Sequence, residues 1–479
     1  MDLANLIDPS DLRQRSSDIK RIFFYRVCGT GMGAAACLLK EHGYEIEGGD
    51  NNFFPPMSTY LESTGIPCHK LSDVSNEDLS TFDLIVVGNV VPRDGVDAKR
   101  IEKLGVPFVS FPTAIGSLIL SKNNVVGIAG THGKTTTTYF FVQVFEKLGF
   151  IPGYLIGGVM DGRPSSRLGD GSYFFIESDE YDSAYFEKIS KFRNYHIKHL
   201  VLTSLEFDHG DIFDSIEDII DQFRQMLKTD KPKVIYSSDF EANLVLKKEF
   251  SKKLSLQDYG ENSATGPFSI SSNEKGTSFS LKVGGKIEEF STNLIGLHNI
   301  LNITTVILFA ISEKIDLKSI RSSIADLQLV KRRQEERGHY HGTLVVDDFA
   351  HHPRAVALTI SAMKEKYPQK KVVVVMEPNS ATARSDIFQA EFGESLSLAD
   401  KVIYTKPTKS TTVKHASDID CDAIVETIKS SGKEAVVVED LDQLRSQIDR
   451  TIGEDYLLLV LSNGTCLGLW ESKFVDQLV

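Results

Sequence analysis

Tryptophan occurs once in this 479-residue chain, methionine seven times and cysteine five times. The cysteines (Cys28, Cys37, Cys68, Cys421 and Cys466) are odd in number and scattered. They form no C-x-x-C pair and no Cys/His cluster, which excludes a structural zinc site and a disulfide framework and predicts reduced thiols packed in cores. Long apolar runs are also missing. Runs such as Val372–Met376 and Leu457–Leu461 are strand-length, far below the roughly 20 residues of a membrane span. The stretch Met1–Arg15 is polar and partly acidic, so it does not read as a signal peptide. Positive charge is in deficit, with 53 Lys and Arg against 66 Asp and Glu and a net charge of −13. That balance excludes a general nucleic-acid binder but not an anionic substrate, since a site is governed by its local charges. The expectation is a cytoplasmic, monomeric protein that engages neither membrane nor nucleic acid.

What is present is globular: 41% hydrophobic and 25% charged residues, in a chain long enough for about three domains. Short β-branched runs alternate with helix-length segments, the βαβ pattern of parallel sheets. Strands are expected at Ile22–Val27, Glu45–Gly48, Leu84–Val87 and Val106–Ser110, with a helix running through His42. A boundary falls near Leu120–Asn124, followed by strands at Val125–Ala129, Tyr173–Ile176 and Leu200–Thr203. From about 258 to 295, short alternating runs predict a small antiparallel sheet attached to the middle domain. A third series has strands at Leu344–Val346, Val372–Val375, Val402–Tyr404, Ala435–Val438 and Leu457–Leu461. The expected fold is thus α/β in three domains: residues 1–121, Rossmann-like; 122–326, a central phosphate-loop domain with a parallel sheet plus the small antiparallel one; and 327–479, again Rossmann-like.

Val125–Thr136 reads as a strand, a glycine-rich turn and a helix start. Glycines at 127, 130 and 133 let successive backbone N–H groups converge on phosphate oxygens, and the helix N-terminus adds its positive dipole end. Lys134 suits the β- and γ-phosphates, and the Thr135 hydroxyl suits Mg²⁺. The spacing is a variant of G-x-x-x-x-G-K-[ST], because Ile128 stands where that pattern needs its first glycine. An exposed lysine in a glycine-rich turn is the plainer alternative, but an apolar strand precedes the loop and four threonines follow Lys134.

Ligands of open parallel sheets collect at the C-terminal ends of strands. Two further strands end in metal-compatible side chains, one at Glu177–Asp182 and one at Glu206–Asp211. Carboxylates suit Mg²⁺ and a neutral imidazole can complete its shell, so Glu177 and His209 are metal candidates beside Thr135. Any single one of these acids could equally be a solvated loop charge.

The phosphate loop, the acidic segments 177–182 and 205–209, Gly296–Asn302, the basic residues 331–333, the Asp-Asp-Phe-Ala-His-His-Pro run at 347–353 and Ser462–Gly464 together resemble the Mur ligases, in order and spacing, over nearly the whole chain. The resemblance implies an ATP-dependent amide ligase, ADP-forming, of peptidoglycan metabolism. Segments 177–192, 205–213 and Phe54–Ser58 are most similar to the member that joins the lactyl carboxylate of UDP-N-acetylmuramate to the L-Ala amine of L-Ala-γ-D-Glu-meso-diaminopimelate in cell-wall recycling. Members that add single L-alanine typically carry an arginine-rich segment where this chain has Glu377–Arg384. That activity is the nearest alternative, and a non-catalytic nucleotide-binding protein is one of a different class. Two departures stand out. Arg26 replaces the first glycine of the N-terminal loop, and the carbamylated lysine of many members has no equivalent here.

By this resemblance, Gly29, Thr30, Gly31, Met32 and Gly33 bind the UDP pyrophosphate, with Asp50, Asn89 and Ser110 at later strand ends. The glycine cluster alone fits NAD equally well, and Asp50 could simply cap its loop. Gly130, Thr131, His132, Gly133, Lys134, Thr135 and Thr136 hold ATP, with His298, Asn299 and Asn302 toward adenine, although Asn299 could cap a helix instead. Arg333 offers a bidentate fork to the γ-phosphate, and Asp348 suits the ribose hydroxyls. Lys134, Glu177, His209 and Arg333 are the catalytic set. His351, His352, Asn379, Ser380, Thr382 and Arg384 are candidates for the peptide.

Overall fold

The computed structural model describes residues 2–55, 57–160, 162–208, 210 and 212–479. Two compact units emerge: residues 1–206, 217–258 and 308–315 in the first, and 207–216, 259–307 and 316–479 in the second.

The first unit contains two main sheets, one parallel throughout and one whose edge strand Ser166–Arg167 runs antiparallel to Gly153–Leu155. In the N-terminal one the strand order is Cys68–Lys70, Glu45–Asp50, Arg21–Tyr25, Leu84–Val87, Phe108–Ser110. The chain order reverses on either side of Arg21–Tyr25, leaving a crevice between its C-terminal end and that of Leu84–Val87, where open sheets bind ligands. The helix Thr30–His42 starts in that crevice and stops at Gly43, whose φ of 113° only glycine adopts readily. The larger sheet is ordered Leu256–Tyr259, Lys233–Ser237, His199–Leu202, Val125–Ala129, Phe174–Ser178, Gly153–Leu155, Ser166–Arg167. Val125–Ala129 is fully buried at its centre, which is why it reads as an unbroken apolar run. Behind it, Phe145 packs against Phe141, Phe150, Tyr173, Phe175 and Phe309, with ring centroids 4.8 to 6.3 Å apart. This aromatic block fixes the helix Lys134–Lys147, and hence the loop before it, onto the sheet.

Close contacts join the two sheets' layers within this unit. The Ser166 hydroxyl donates to Ala34 O (2.9 Å), Leu168 N donates to Glu41 (2.9 Å), and Asn194 donates to the Thr113 hydroxyl (3.0 Å). At Gly116 the helix Phe111–Leu118 comes so near that a Cβ would lie 1.9 Å from Asn194 O.

In the second unit a six-stranded sheet is ordered Glu335–Tyr340, Thr343–Asp348, Tyr456–Ser462, Lys371–Glu377, Lys401–Thr405, Glu434–Val438, parallel apart from the first hairpin. Buried aliphatic side chains line both of its faces. The antiparallel sheet Phe268–Asn273, Gly276–Val283, Lys286–Thr292 lies in this unit too, as the alternating pattern at 258–295 anticipated in type. Among the described residues no helix is long and apolar enough to cross a membrane.

Candidate active site

The register of the central sheet places Ala129 directly between Ser178 and Leu202, so the phosphate loop leaves the sheet between the two strands that end in acidic segments. Gly130 has φ 124° and Gly133 φ 82°, both left-handed, and Gly133 caps the helix Lys134–Lys147 with no side chain in the way. The turn is braced from the neighbouring strand end. Thr131 N donates to Ser204 O (2.6 Å), His132 N donates to the Ser204 hydroxyl (2.7 Å), and the Thr203 hydroxyl donates to His132 O (2.6 Å). Thr131 and Glu206 exchange a hydroxyl-to-carbonyl and an N–H-to-hydroxyl bond at 3.1 and 2.9 Å. The His132 ring lies 3.5 Å from the Glu206 carboxylate.

The structure brings Thr135 and Glu177 together: the hydroxyl donates to Glu177 Oε1 at 2.7 Å, while Gly157 N donates to Oε2 at 2.8 Å. A hydroxyl and a carboxylate side by side at the helix start form an all-oxygen donor set, which fits a hard divalent cation such as Mg²⁺. His209 lies outside the described residues. Lys134 donates to Glu180 at 2.7 Å. Burial works against its charge, yet Glu180, Asp179 and Glu177 outweigh burial and hold the ammonium well above its ordinary range.

In the N-terminal crevice, Gly29 caps Thr30–His42 with no side-chain bond, leaving the first N–H groups open. Gly31 and Gly33 are packing glycines as well, facing the Phe111 ring and the Met57 side chain. Met32 is buried, Thr30 is exposed, and Asn89 is exposed just beyond Leu84–Val87. Asp50 accepts from Cys28 N (2.9 Å) and Asn51 N (2.7 Å), so its carboxylate shapes the loop. Ser110 is fully buried, caps the helix Phe111–Leu118 and donates to Glu187. Arg26 carries a φ of 70°, and its guanidinium pairs with Asp97 (2.5 Å) and Asp50 (3.5 Å).

Three adjacent strands of the second unit end together: Asp348 sits beside Leu461, and Ser462 beside Glu377. Asp348 is buried and accepts from Gln334 N and Ala350 N, both at 2.8 Å. Burial raises its carboxyl, against the lowering effect of Arg333 and these two bonds. Arg333 lies over the Phe349 ring at 5.0 Å. Its neighbours Arg332 and Gln334 are both left-handed, and Arg332 donates to Ser462 O (2.6 Å) and Gly464 O (2.9 Å). Next to them the half-buried His298 lies against Gln334, 3.0 Å away; loss of water around the ring first and Arg333 second lower its pKa to about 4. Asn299 donates to Ile295 O (2.9 Å), a local helix-start bond, and Asn302 is buried.

His351 Nδ1 is 2.9 Å from Phe349 O, and His352 opens the helix Pro353–Lys366 with its ring against Phe388. Arg384 folds back to donate to Asn379 O, Ala383 N donates to the Ser380 hydroxyl, and Gly210 N donates to the Thr382 hydroxyl at 3.4 Å. The strand-end residues 377–384 therefore form one turn with side chains of mixed polarity. Glu180 and Glu377 escaped sequence reasoning. Both stood in segments already singled out, three residues past Glu177 and two before Asn379, but nothing in their spacing marks Glu180 as buried or Glu377 as the acceptor for Ser462, Cys466 N and Leu467 N.

Residues 21–123, 128–310 and 332–464 match, in turn, the models of the Mur ligase family catalytic domain, the Mur ligase middle domain and the Mur ligase glutamate ligase domain. The UDP-N-acetylmuramate–L-alanyl-γ-D-glutamyl-meso-2,6-diaminoheptandioate ligase of Escherichia coli (strain K12) is 32% identical over 467 residues, 96% of this chain and 98% of that one. The chain belongs to the Mur ligase family. Like other Mur ligases it is an ATP-dependent enzyme that forms an amide bond, and its architecture is the family's three-domain α/β fold. A second Mur ligase, the UDP-N-acetylmuramate–L-alanine ligase of Leuconostoc mesenteroides, is also 32% identical, but over 388 residues, 80% of this chain and 83% of that one. The crystal structure of a murein peptide ligase from Psychrobacter arcticus 273-4 superposes with a TM-score of 0.67 at 27% identity, covering 96% of this chain and 99% of that one.

Proposed function

We propose that this Mur ligase joins the lactyl carboxylate of UDP-N-acetylmuramate to the L-Ala amine of L-Ala-γ-D-Glu-meso-diaminopimelate, and so serves cell-wall recycling in the cytoplasm. The observation that carries the reading is the near-full-length likeness, over 96% of the chain, to a ligase named for that peptide, where L-alanine ligases among the relatives align over 80% to 89% of it. The turn Glu377–Arg384 supports it, because it lacks the several arginines expected of an L-alanine-adding member.

A carboxylate resists an amine because it is anionic and has no good leaving group. The lactyl carboxylate attacks the γ-phosphorus of ATP in line, giving an acyl phosphate and ADP; the amine then attacks the acyl carbon and expels phosphate. Lys134 and Arg333 supply positive charge to the phosphates as negative charge spreads over them. Mg²⁺, when bound, would be held by Thr135 and Glu177, with His209 as a further ligand, and would supply charge to the same oxygens. The division of labour follows residues 1–121 for UDP, 122–326 for ATP and 327–479 for the peptide. Gly29–Gly33, Asn89 and the Asp50 loop take the UDP end. Gly130–Thr136 take the phosphates, while His298, Asn299, Asn302 and Asp348 shape the nucleoside side. His351, His352, Asn379, Ser380, Thr382 and Arg384 receive the peptide.

The test is ADP release with UDP-N-acetylmuramate and, in turn, L-Ala, the dipeptide, and tripeptides ending in diaminopimelate, lysine or ornithine. Turnover is expected with the diaminopimelate tripeptide. Turnover with L-Ala alone refutes the proposal in favour of the alanine-adding activity.

A further inference from the structure

Lys134 has a partner within the chain: its ammonium donates to Glu180 Oε2 at 2.7 Å, and the two side chains are only 11% and 3% exposed. Glu180 is anchored through its main chain. Its carbonyl accepts from the Ser190 hydroxyl at 2.7 Å, and the next carbonyl, of Tyr181, accepts from Lys191 N at 3.1 Å. The other carboxylate oxygen, Oε1, is buried with no hydrogen-bond partner. Glu177, three residues earlier, differs sharply, for both of its oxygens receive a donor. A buried carboxylate left half-satisfied is costly, and such groups are retained where they have work to do.

We propose that Glu180 is the resident counter-ion of the phosphate-loop lysine, a positioning residue that keeps Lys134 extended toward the loop and yields it to incoming phosphates. The inference rests on the phosphate-loop reading above. Two anions, the carboxylate and the nucleotide's phosphates, compete for one ammonium in a site from which water is largely excluded. Lys134 has a flexible four-carbon stem and can swing, whereas Glu180 is pinned by its hairpin, so the lysine moves and the carboxylate stays. Once phosphates hold the lysine, Glu180 is a like charge close to them and raises the free energy of the bound state. The arrangement therefore aims the lysine in the empty site and weakens the hold on ADP, which favours release of that product.

The test uses the full-length protein and measures ADP affinity by calorimetry, beside steady-state KM for ATP and kcat. Glu180→Gln keeps the shape and removes the charge. It is expected to tighten ADP binding about tenfold, equivalent to about 1.4 kcal/mol, and to lower KM for ATP without raising kcat. ADP binding that is unchanged or weaker overturns the proposal; a merely structural role would move the melting temperature and leave ADP affinity where it was. Should Glu180→Gln not fold, Glu180→Asp draws the carboxylate back by one methylene and is expected to shift ADP affinity in the same direction, with no shift again overturning it. Lys134→Ala separates the two levels. If ADP binding ignores that substitution, the phosphate-loop reading fails; if Lys134→Ala weakens ADP while Glu180→Gln changes nothing, only the counter-ion role fails.

Discussion

Replacing Gly130 with alanine tests the phosphate loop at its tightest point. The backbone there has φ 124°, and a Cβ would lie 2.4 Å from Ser204 O, 2.5 Å from Thr203 Oγ1 and 2.6 Å from Ser204 N. Two of the three obstacles are backbone atoms of a segment tied to the sheet by the bond from Thr203 N to Ala129 O (2.9 Å), so they cannot rotate aside. Restoring ordinary contact distances requires the turn to shift by about 1 Å. The left-handed conformation costs alanine roughly 1–2 kcal/mol, and the overlap adds about 1–3 kcal/mol. Together they predict a loss of about 2–5 kcal/mol in the first unit. A displacement of about 1 Å in groups that position a reacting phosphate lowers turnover about a hundredfold. Thermal unfolding and the rate of ADP release read the two effects. Gly149→Ala is the control: φ is 90° there, but nothing lies within 4 Å of the new Cβ, so only the conformational cost applies and turnover is kept. Wild-type melting and turnover in Gly130→Ala would refute the reasoning.

Lys134→Ala is expected to abolish ADP release almost completely. It also leaves Glu180 buried without its cation, so the melting temperature falls, and the double substitution with Glu180→Gln recovers part of that loss. In Arg26→Gly the left-handed backbone is relieved while the pairs with Asp97 and Asp50 are lost. If Arg26 serves the UDP pyrophosphate, UDP binding measured by calorimetry weakens more than uridine binding does; equal weakening of both counts against such a contact. His298 has a folded pKa of about 4 against 6.5 when unfolded, so the unfolded chain takes up a proton that the folded one refuses. Its contribution to stability is complete above pH 6.5 and is lost as pH falls toward 4, and denaturant unfolding of His298→Gln between pH 7 and 5 should show a shallower decline than the parent.

Much of the fold could be read from period and punctuation. Val125–Ala129 and Leu84–Val87 were legible to the residue because each is an apolar run bounded by polar turns. The first strand stops at Tyr25 rather than Val27 because Arg26 turns left-handed, and nothing in a bare sequence announces that a non-glycine residue will do so. Short strands such as Gly153–Leu155, Ser166–Arg167 and Asp182–Ala184 were invisible, being too brief to show a period. At the site, the strand-end rule singled out Glu177, whose strand is the register neighbour of the one that leads into the phosphate loop. The Glu180 contact was not foreseeable, because it depends on the hairpin Asp182–Ser190 turning the acidic segment back on itself.

The contacts that fasten the N-terminal sheet to the phosphate-loop sheet, closest at Gly116 and Asn194, have a consequence for which donors can be used. With UDP at one sheet and ATP at the other, as proposed above, the span between the two grips is set by the packing of the sheets and works as a gauge block. A donor whose carboxylate lies one bond too near or too far from its diphosphate is off length by more than such an interface yields. Selection on the donor side is then a matter of reach, imposed before any group recognises the sugar itself, and extending or trimming the lactyl arm should abolish turnover while leaving UDP-end binding intact.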